Sequence, residues 1–210
     1  MSQALSVDPQ APGAAPGIRH RPERPPLLAV GVMIWLGSEL MFFSGLFAAY
    51  FTIRANYPSK QWPPLGNFHL DLVQAGIFSV VLLASSPTFQ LGVWAVERGE
   101  RNKARIWIYV SFIMGAAFVS NTLYEWHDFL HRGFAPHTNA YWSLFYVMTG
   151  IHGIHVVLGL IAMLFLLGRM KGRAGDPGEV NVYQAVGYYW HFVDFMWIGI
   201  FSCLFLLKSG

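Results

Sequence analysis

Five stretches of the chain are apolar almost without interruption, and short polar segments separate them. A helix rises 1.5 Å per residue, so crossing a hydrocarbon layer of roughly 30 Å takes about 20 apolar residues. Residues 27–53, 72–96, 106–125, 140–168 and 183–207 each reach that length. In lipid every backbone polar group has to be satisfied within the protein, so the pattern predicts five transmembrane helices in an all-α, polytopic bundle. The segments between them are too short for a second soluble domain, and residues 27–210 read as a single membrane domain. Residues 1–26 are rich in Pro, Ala and Gly, with no apolar core and no cleavage-type signal. They are expected to form a disordered cytoplasmic tail, which leaves the first helix as its own insertion signal.

Composition sharpens this reading. Only 12% of the residues are charged, about half the share usual in soluble domains, against 54% hydrophobic. The few charges therefore carry information about topology. Arg19, Arg21, Arg24, Arg98, Arg101, Lys103, Arg105, Arg169, Lys171 and Arg173 fall on one side of a five-span chain, and only Arg54, Lys60, Arg132 and Lys208 on the other. Basic residues near helix ends are retained in the cytoplasm, so the amino terminus is expected inside and the carboxyl terminus outside. The net charge of +3 then reflects topology and contact with anionic headgroups, not nucleic-acid binding. Cys203 is the single cysteine, which excludes an intrachain disulfide and a cysteine-based metal site.

The informative residues are those that break the apolar runs. Glu39 lies between Leu27 and Arg54 with no other charge in that interval. A carboxylate at the centre of a spanning helix costs about 2.5–3.5 kcal/mol on insertion scales. Counting rise per residue, Glu39 lies about 18 Å from the inner boundary and His155, on the fourth helix, about 20 Å. The shared depth predicts an interhelical hydrogen bond between them. A neutral acid donating to neutral imidazole and a carboxylate accepting from imidazolium both satisfy it, and the residues leave that choice open. His152, His155 and Gly159 share one face of the fourth helix, and Gly153 and Gly159 are expected to let another helix approach. On the fifth helix His191 and Asp194 are three apart and able to meet, at about 12 and 16 Å from the inner boundary. Glu125 lies near the outer end of the third helix.

Other chemistries fit less well. Bis-histidine haem needs ligands on opposite faces of the iron, whereas His152 and His155 project from one helix; His155 with His191 is the remaining combination. A di-iron carboxylate site requires Glu-x-x-His on two helices, and that motif is absent from the sequence. Zinc on His152 and His155 would have Glu39 as its nearest third ligand. A through-membrane proton relay needs a ladder of groups, but Glu39, His152, His155, His191 and Asp194 cluster near one level, which favours a structural pair. Trp62, Trp107, Trp126, Trp142 and Trp190 read as an interfacial belt.

The segments WLGSELMFFSGLFAAYF, YEWHDF, FYVMTGIHGIHVVLGL and YYWHFVDFMWIGIF closely resemble the signature segments of subunit III of haem-copper oxidases of the aa3 cytochrome c oxidase type, from about Val30 onward. The resemblance implies a non-catalytic subunit without a cofactor or metal of its own, packed against subunit I, with subunit II and small subunits as further partners. Haem a, haem a3 and copper would belong to those partners, and bound phospholipid is expected. Glu39 and His155 match the family's buried pair. Glu125, His152, Trp190, His191, Asp194 and Trp197 match its other motif positions. The implied role is to support the stability of subunit I and its sustained proton uptake in a bacterial plasma membrane. The longer family form has seven helices, and this chain resembles it from the third onward. The segment LLASSPTFQLGVWAVERG is similar to the actinobacterial form, which implies a supercomplex with a cytochrome bc-type complex. Subunit III of a quinol oxidase shares the architecture; Glu39 after Ser38, where that branch often has Asp, favours the cytochrome c type. An autonomous haem-binding electron carrier is the reading from a different class, and a haem band from the isolated chain would identify it.

Overall fold

A computed structural model describes residues 27–57, 62–63, 71–169 and 177–207. The tail expected over 1–26 lies outside them. The described residues form α1 (Leu27–Ala55), α2 (Leu72–Glu97), α3 (Arg101–His131), α4 (Ala140–Arg169) and α5 (Pro177–Phe201), the last continuing into a π-helical turn, Ser202–Leu206. All five are long and apolar enough to cross a membrane, and no strand occurs among the described residues. The chain is a multi-pass membrane protein.

The helices outrun the apolar stretches. α3 spans 101–131 where hydropathy marks 106–125, and α5 begins at 177, not 183. Hydropathy measures the thickness of the apolar layer, whereas the hydrogen-bond ladder continues into polar turns that supply their own pairs. Lys103 bonds Glu100 at 3.0 Å and Arg132 bonds Asp128 at 2.9 Å, each one helical turn apart. At the other extreme, the end of the fifth span is a π-turn and not plain α-helix.

Helix ends are closed by local chemistry. Asp71 Oδ1 accepts from the amides of Val73 and Gln74, both at 3.1 Å, capping α2. α2 ends at Gly99, whose φ of +75° is open to glycine without steric cost, and the Glu100 amide reaches back to the Ala95 carbonyl at 2.8 Å. Gly133, at φ +86°, ends α3 in the same way, with the Phe134 amide on the Phe129 carbonyl at 2.9 Å.

α5 is the hub of the bundle, packing against α1, α2 and α4, while α2 and α3 form the closest pair. The α2–α5 seam is antiparallel and stitched by serine hydroxyls. Trp190 Nε1 donates to Ser85 Oγ at 2.8 Å, and Trp197 Nε1 donates to Ser79 Oγ at 2.9 Å. Each serine in turn donates to a carbonyl of its own helix, Ser85 to Leu82 and Ser79 to Ala75. α1 is peripheral: only Ala29, Phe43 and Tyr50 of its side chains are buried. Its C-terminal end is held by Tyr50, which donates to the Cys203 carbonyl in the π-turn and accepts from Trp62 Nε1 at 3.0 Å. Tyr141 donates to the next carbonyl, Leu204, at 2.9 Å, so two tyrosines serve the carbonyls near the end of the fifth span.

The tryptophan belt needs correction. Trp62, Trp142 and Trp190 are buried, the last two fully, while Trp35 and Trp94 are among the exposed aromatics. The indole of Trp190 is clasped by two glycines: a Cβ on Gly159 would lie 2.6 Å from its ring, and one on Gly115 would lie 2.9 Å away. Gly153 behaves differently from Gly159, because a Cβ there would meet nothing within 4 Å. It lines an apolar groove of about 390 Å³ between α3 and α4, with Phe118, Trp126, Gly150, Val157 and Leu158.

Candidate functional site

α1 and α4 meet at Glu39 and His155. His155 Nε2 lies 3.2 Å from Glu39 Oε2, with both side chains mostly buried. The other ring nitrogen, Nδ1, is 2.8 Å from the Ile151 carbonyl, one turn back on α4. A carbonyl only accepts, so Nδ1 carries a proton. This reduces the two arrangements to one question, whether Nε2 is also protonated: it either accepts from the neutral acid or donates to the carboxylate. The ring is held on its remaining sides by packing. Phe43 meets it edge to face at 5.3 Å, and Tyr189 donates to the His155 carbonyl at 2.7 Å while stacking on Trp35 at 5.3 Å. Glu39 is therefore fixed to α4 by a polar bond and flanked by an α5 tyrosine that ties α4 to α5.

His191 and Asp194 do not bond each other directly. Ser86 of α2 stands between them: its Oγ lies 2.5 Å from Asp194 Oδ2 and 3.0 Å from His191 Nδ1. His191 Nε2 continues the chain to Gln90 Oε1 at 3.1 Å. A hydroxyl donates once and accepts from another group, so Ser86 passes a hydrogen-bond direction from one group to the other. Two settings satisfy every member with Gln90 as placed. In one, the acid donates to Ser86 and Ser86 donates to His191. In the other, imidazolium donates to Ser86 and Ser86 donates to the carboxylate. Ser86 precedes Pro87, and sequence spacing on α5 alone gives no sign of this bridging residue from another helix.

His152 is fully buried, stacked on Trp197 at 4.9 Å and edge-on to Phe118 at 6.0 Å. Neither of its ring nitrogens meets a hydrogen-bond partner among the described residues. It turns towards α3 and α5 while His155, one turn further on, turns towards α1, so the shared face of α4 serves two different interfaces. Glu125 accepts from Asn121 Nδ2 at 3.1 Å, and Asn121 Oδ1 accepts from Gln74 at 2.7 Å. Glu125 and Gln74 border a polar pocket of about 130 Å³ with Asp71, Asp128 and Arg132. Trp190 and Trp197 belong to the α2–α5 seam.

Among the described residues, no three His, Cys, Asp or Glu side chains gather as a metal site. Both nitrogens of His155 and both of His191 are committed to protein groups, which leaves neither presented as a haem ligand. The arrangement instead couples buried acids to imidazoles across helix interfaces, once directly and once through a serine.

The chain is thus a five-span membrane bundle with protonatable groups held between its helices. Comparison with known proteins places it further. Residues 19–209 match the family described as cytochrome c oxidase subunit III, and the chain belongs to that family, the non-catalytic subunit of haem-copper oxidases. A probable cytochrome c oxidase subunit 3 of Nocardia farcinica is 44% identical over 198 residues, covering 94% of this chain and 97% of its own. The cytochrome c oxidase subunit 3 of Corynebacterium diphtheriae is 37% identical over 186 residues, covering 88% of this chain and 90% of its own. That of Thermostichus vulcanus is 34% identical over 203 residues, covering 94% and 96%. These names favour the cytochrome c oxidase branch over the quinol oxidase branch.

Proposed function

We propose that the chain is the non-redox third subunit of an aerobic respiratory cytochrome c oxidase in a bacterial plasma membrane. It associates with the other oxidase subunits, and lies directly against subunit I with its amino terminus in the cytoplasm. Electron transfer to oxygen and proton pumping belong to subunits I and II, which carry haem a, haem a3 and copper. The Glu39–His155 bond is the observation that carries the reading. It ties the peripheral helix α1 to α4, and so keeps in register a helix that buries few of its own side chains. Its protonatable ends suit a role in sustaining proton supply to subunit I during turnover. The α3–α4 groove, apolar and at membrane depth, suits the tail of a bound phospholipid. A further association with a cytochrome bc-type complex belongs to the same proposal, and rests on the similarity of LLASSPTFQLGVWAVERG to the actinobacterial form of the family.

Purification through a tagged copy of this chain tests the assembly: haem- and copper-bearing subunits are expected to copurify. Glu39→Gln tests the supporting role. Initial oxygen consumption is expected to stay near wild type, while activity declines sooner over many turnovers. Loss of the first turnover would refute the supporting role.

A further inference from the structure

The last turns of α3 carry a feature that the proposed function leaves unused. His127 and His131, one helical turn apart and both exposed, point their Nε2 atoms at each other across 3.0 Å, with ring centroids 4.2 Å apart. As neutral rings they share one proton, one nitrogen donating and the other accepting. Two imidazoles at i and i+4 on one helix face are also the spacing by which helices chelate a transition metal. With metal–nitrogen bonds of about 2.05 Å, a nitrogen separation of 3.0 Å corresponds to an angle of about 95° at the metal, once both exposed rings turn so that their Nε2 lone pairs converge on the ion instead of on each other. That is close to the right angle between neighbouring positions of a tetragonal ion, the geometry of Cu(II) and Ni(II). A tetrahedral ion such as Zn(II) requires the nitrogens to separate by roughly 0.3 Å more. The surroundings accept a cation. The negative end of the α3 dipole lies at His131, and the neighbouring Arg132 guanidinium, which would repel a cation, is neutralised by Asp128 at 2.9 Å.

We propose that His127 and His131 form a surface site for a divalent late first-row cation, Cu(II) first and Zn(II) second. Among the described residues no third His, Cys, Asp or Glu joins them, so solvent supplies the remaining coordination positions and the ion exchanges readily. The test uses the purified oxidase complex after a chelator wash. Equilibrium dialysis against Cu(II), and separately Zn(II), is followed by counting metal per complex above the resident amount, for wild type, His127→Ala, His131→Ala and the double variant. Wild type is expected to take up one more equivalent, and each single variant to lose at least about tenfold in affinity, since removing even an outer-shell partner costs 10–100-fold. His127→Gln and His131→Gln, which keep polarity and size, carry the same expectation and serve if an alanine variant assembles poorly. Added Cu(II) should also give a difference paramagnetic resonance spectrum with coupling to two nitrogens, absent from the double variant. Binding isotherms or nitrogen coupling unchanged in the double variant would overturn the proposal, the metal then being adventitious.

Discussion

Gly159→Ala and Gly153→Ala make the same change six residues apart on one helix, and the structure expects opposite outcomes. At Gly159 the new Cβ would lie 2.6 Å from Cε3 and Cζ3 of Trp190, whereas carbon atoms rest about 3.5–4.0 Å apart. The indole has to retreat by about 1 Å. It has little freedom to do so, because the ring already lies so near the Gly115 backbone that a Cβ there would be 2.9 Å away, and Nε1 is bonded to Ser85 at 2.8 Å. Overpacking of this kind costs about 1–3 kcal/mol. A strained or lost interhelical hydrogen bond adds about 0.6 to 1.7 kcal/mol, and the higher helix propensity of Ala returns up to about 1 kcal/mol. The net loss is about 2 kcal/mol, roughly 30-fold in the folded-to-unfolded ratio. Gly153 faces the open α3–α4 groove, so only the propensity gain applies and Gly153→Ala should be neutral or slightly stabilising. The measurement is denaturant- or heat-induced loss of the chain from the purified complex, with Gly115→Ala as an independent probe of the same ring. If Gly159→Ala proves as stable as Gly153→Ala, Trp190 is not clasped as described, and the account of the core around it fails.

Three further outcomes follow from the polar contacts. His155→Ala should move the carboxyl infrared band of Glu39 in difference spectra; an unchanged band would show that the two side chains are not bonded in the assembled complex. Ser86→Ala removes the partner of Asp194 Oδ2 while Oδ1 already lacks one, so the seam should lose about 1–3 kcal/mol, measured as dissociation of the chain. Ser44→Ala, at an exposed serine bonded only within α1 at Leu40, provides the near-neutral comparison. Tyr50→Phe strips a donor from the Cys203 carbonyl and an acceptor from Trp62, and should weaken the C-terminal anchor of α1 by about 1–2 kcal/mol in the same assay.

The number of spans, the segments that carry them and the family were legible in the linear order of residues. So was the common depth of Glu39 and His155, because rise per residue is fixed and depth needs no knowledge of packing. Azimuth was not legible. Lipid tails are as apolar as Leu, so a membrane helix shows little contrast between the face turned to lipid and the face turned to protein. That is why Trp190 and Trp142 read as interfacial although they lie in the core, and why Gly153 and Gly159 looked equivalent.

The bridging role of Ser86 was hidden for a related reason. A serine in an apolar helix attracts no notice until the partner across the seam is known, and its partners, His191 and Asp194, are more than a hundred residues away in the chain. Sequence alone determined that five helices cross the membrane and that a few ionisable groups must find partners within them, since lipid offers none. Depth alone already paired Glu39 with His155; only the tertiary structure decided the other arrangements, the serine-bridged pair on α5 and the ring of His152 stacked on Trp197. The physical reason is that the cost of burying a polar group depends on the group alone, whereas the bond that offsets it depends on the rotation of each helix about its axis.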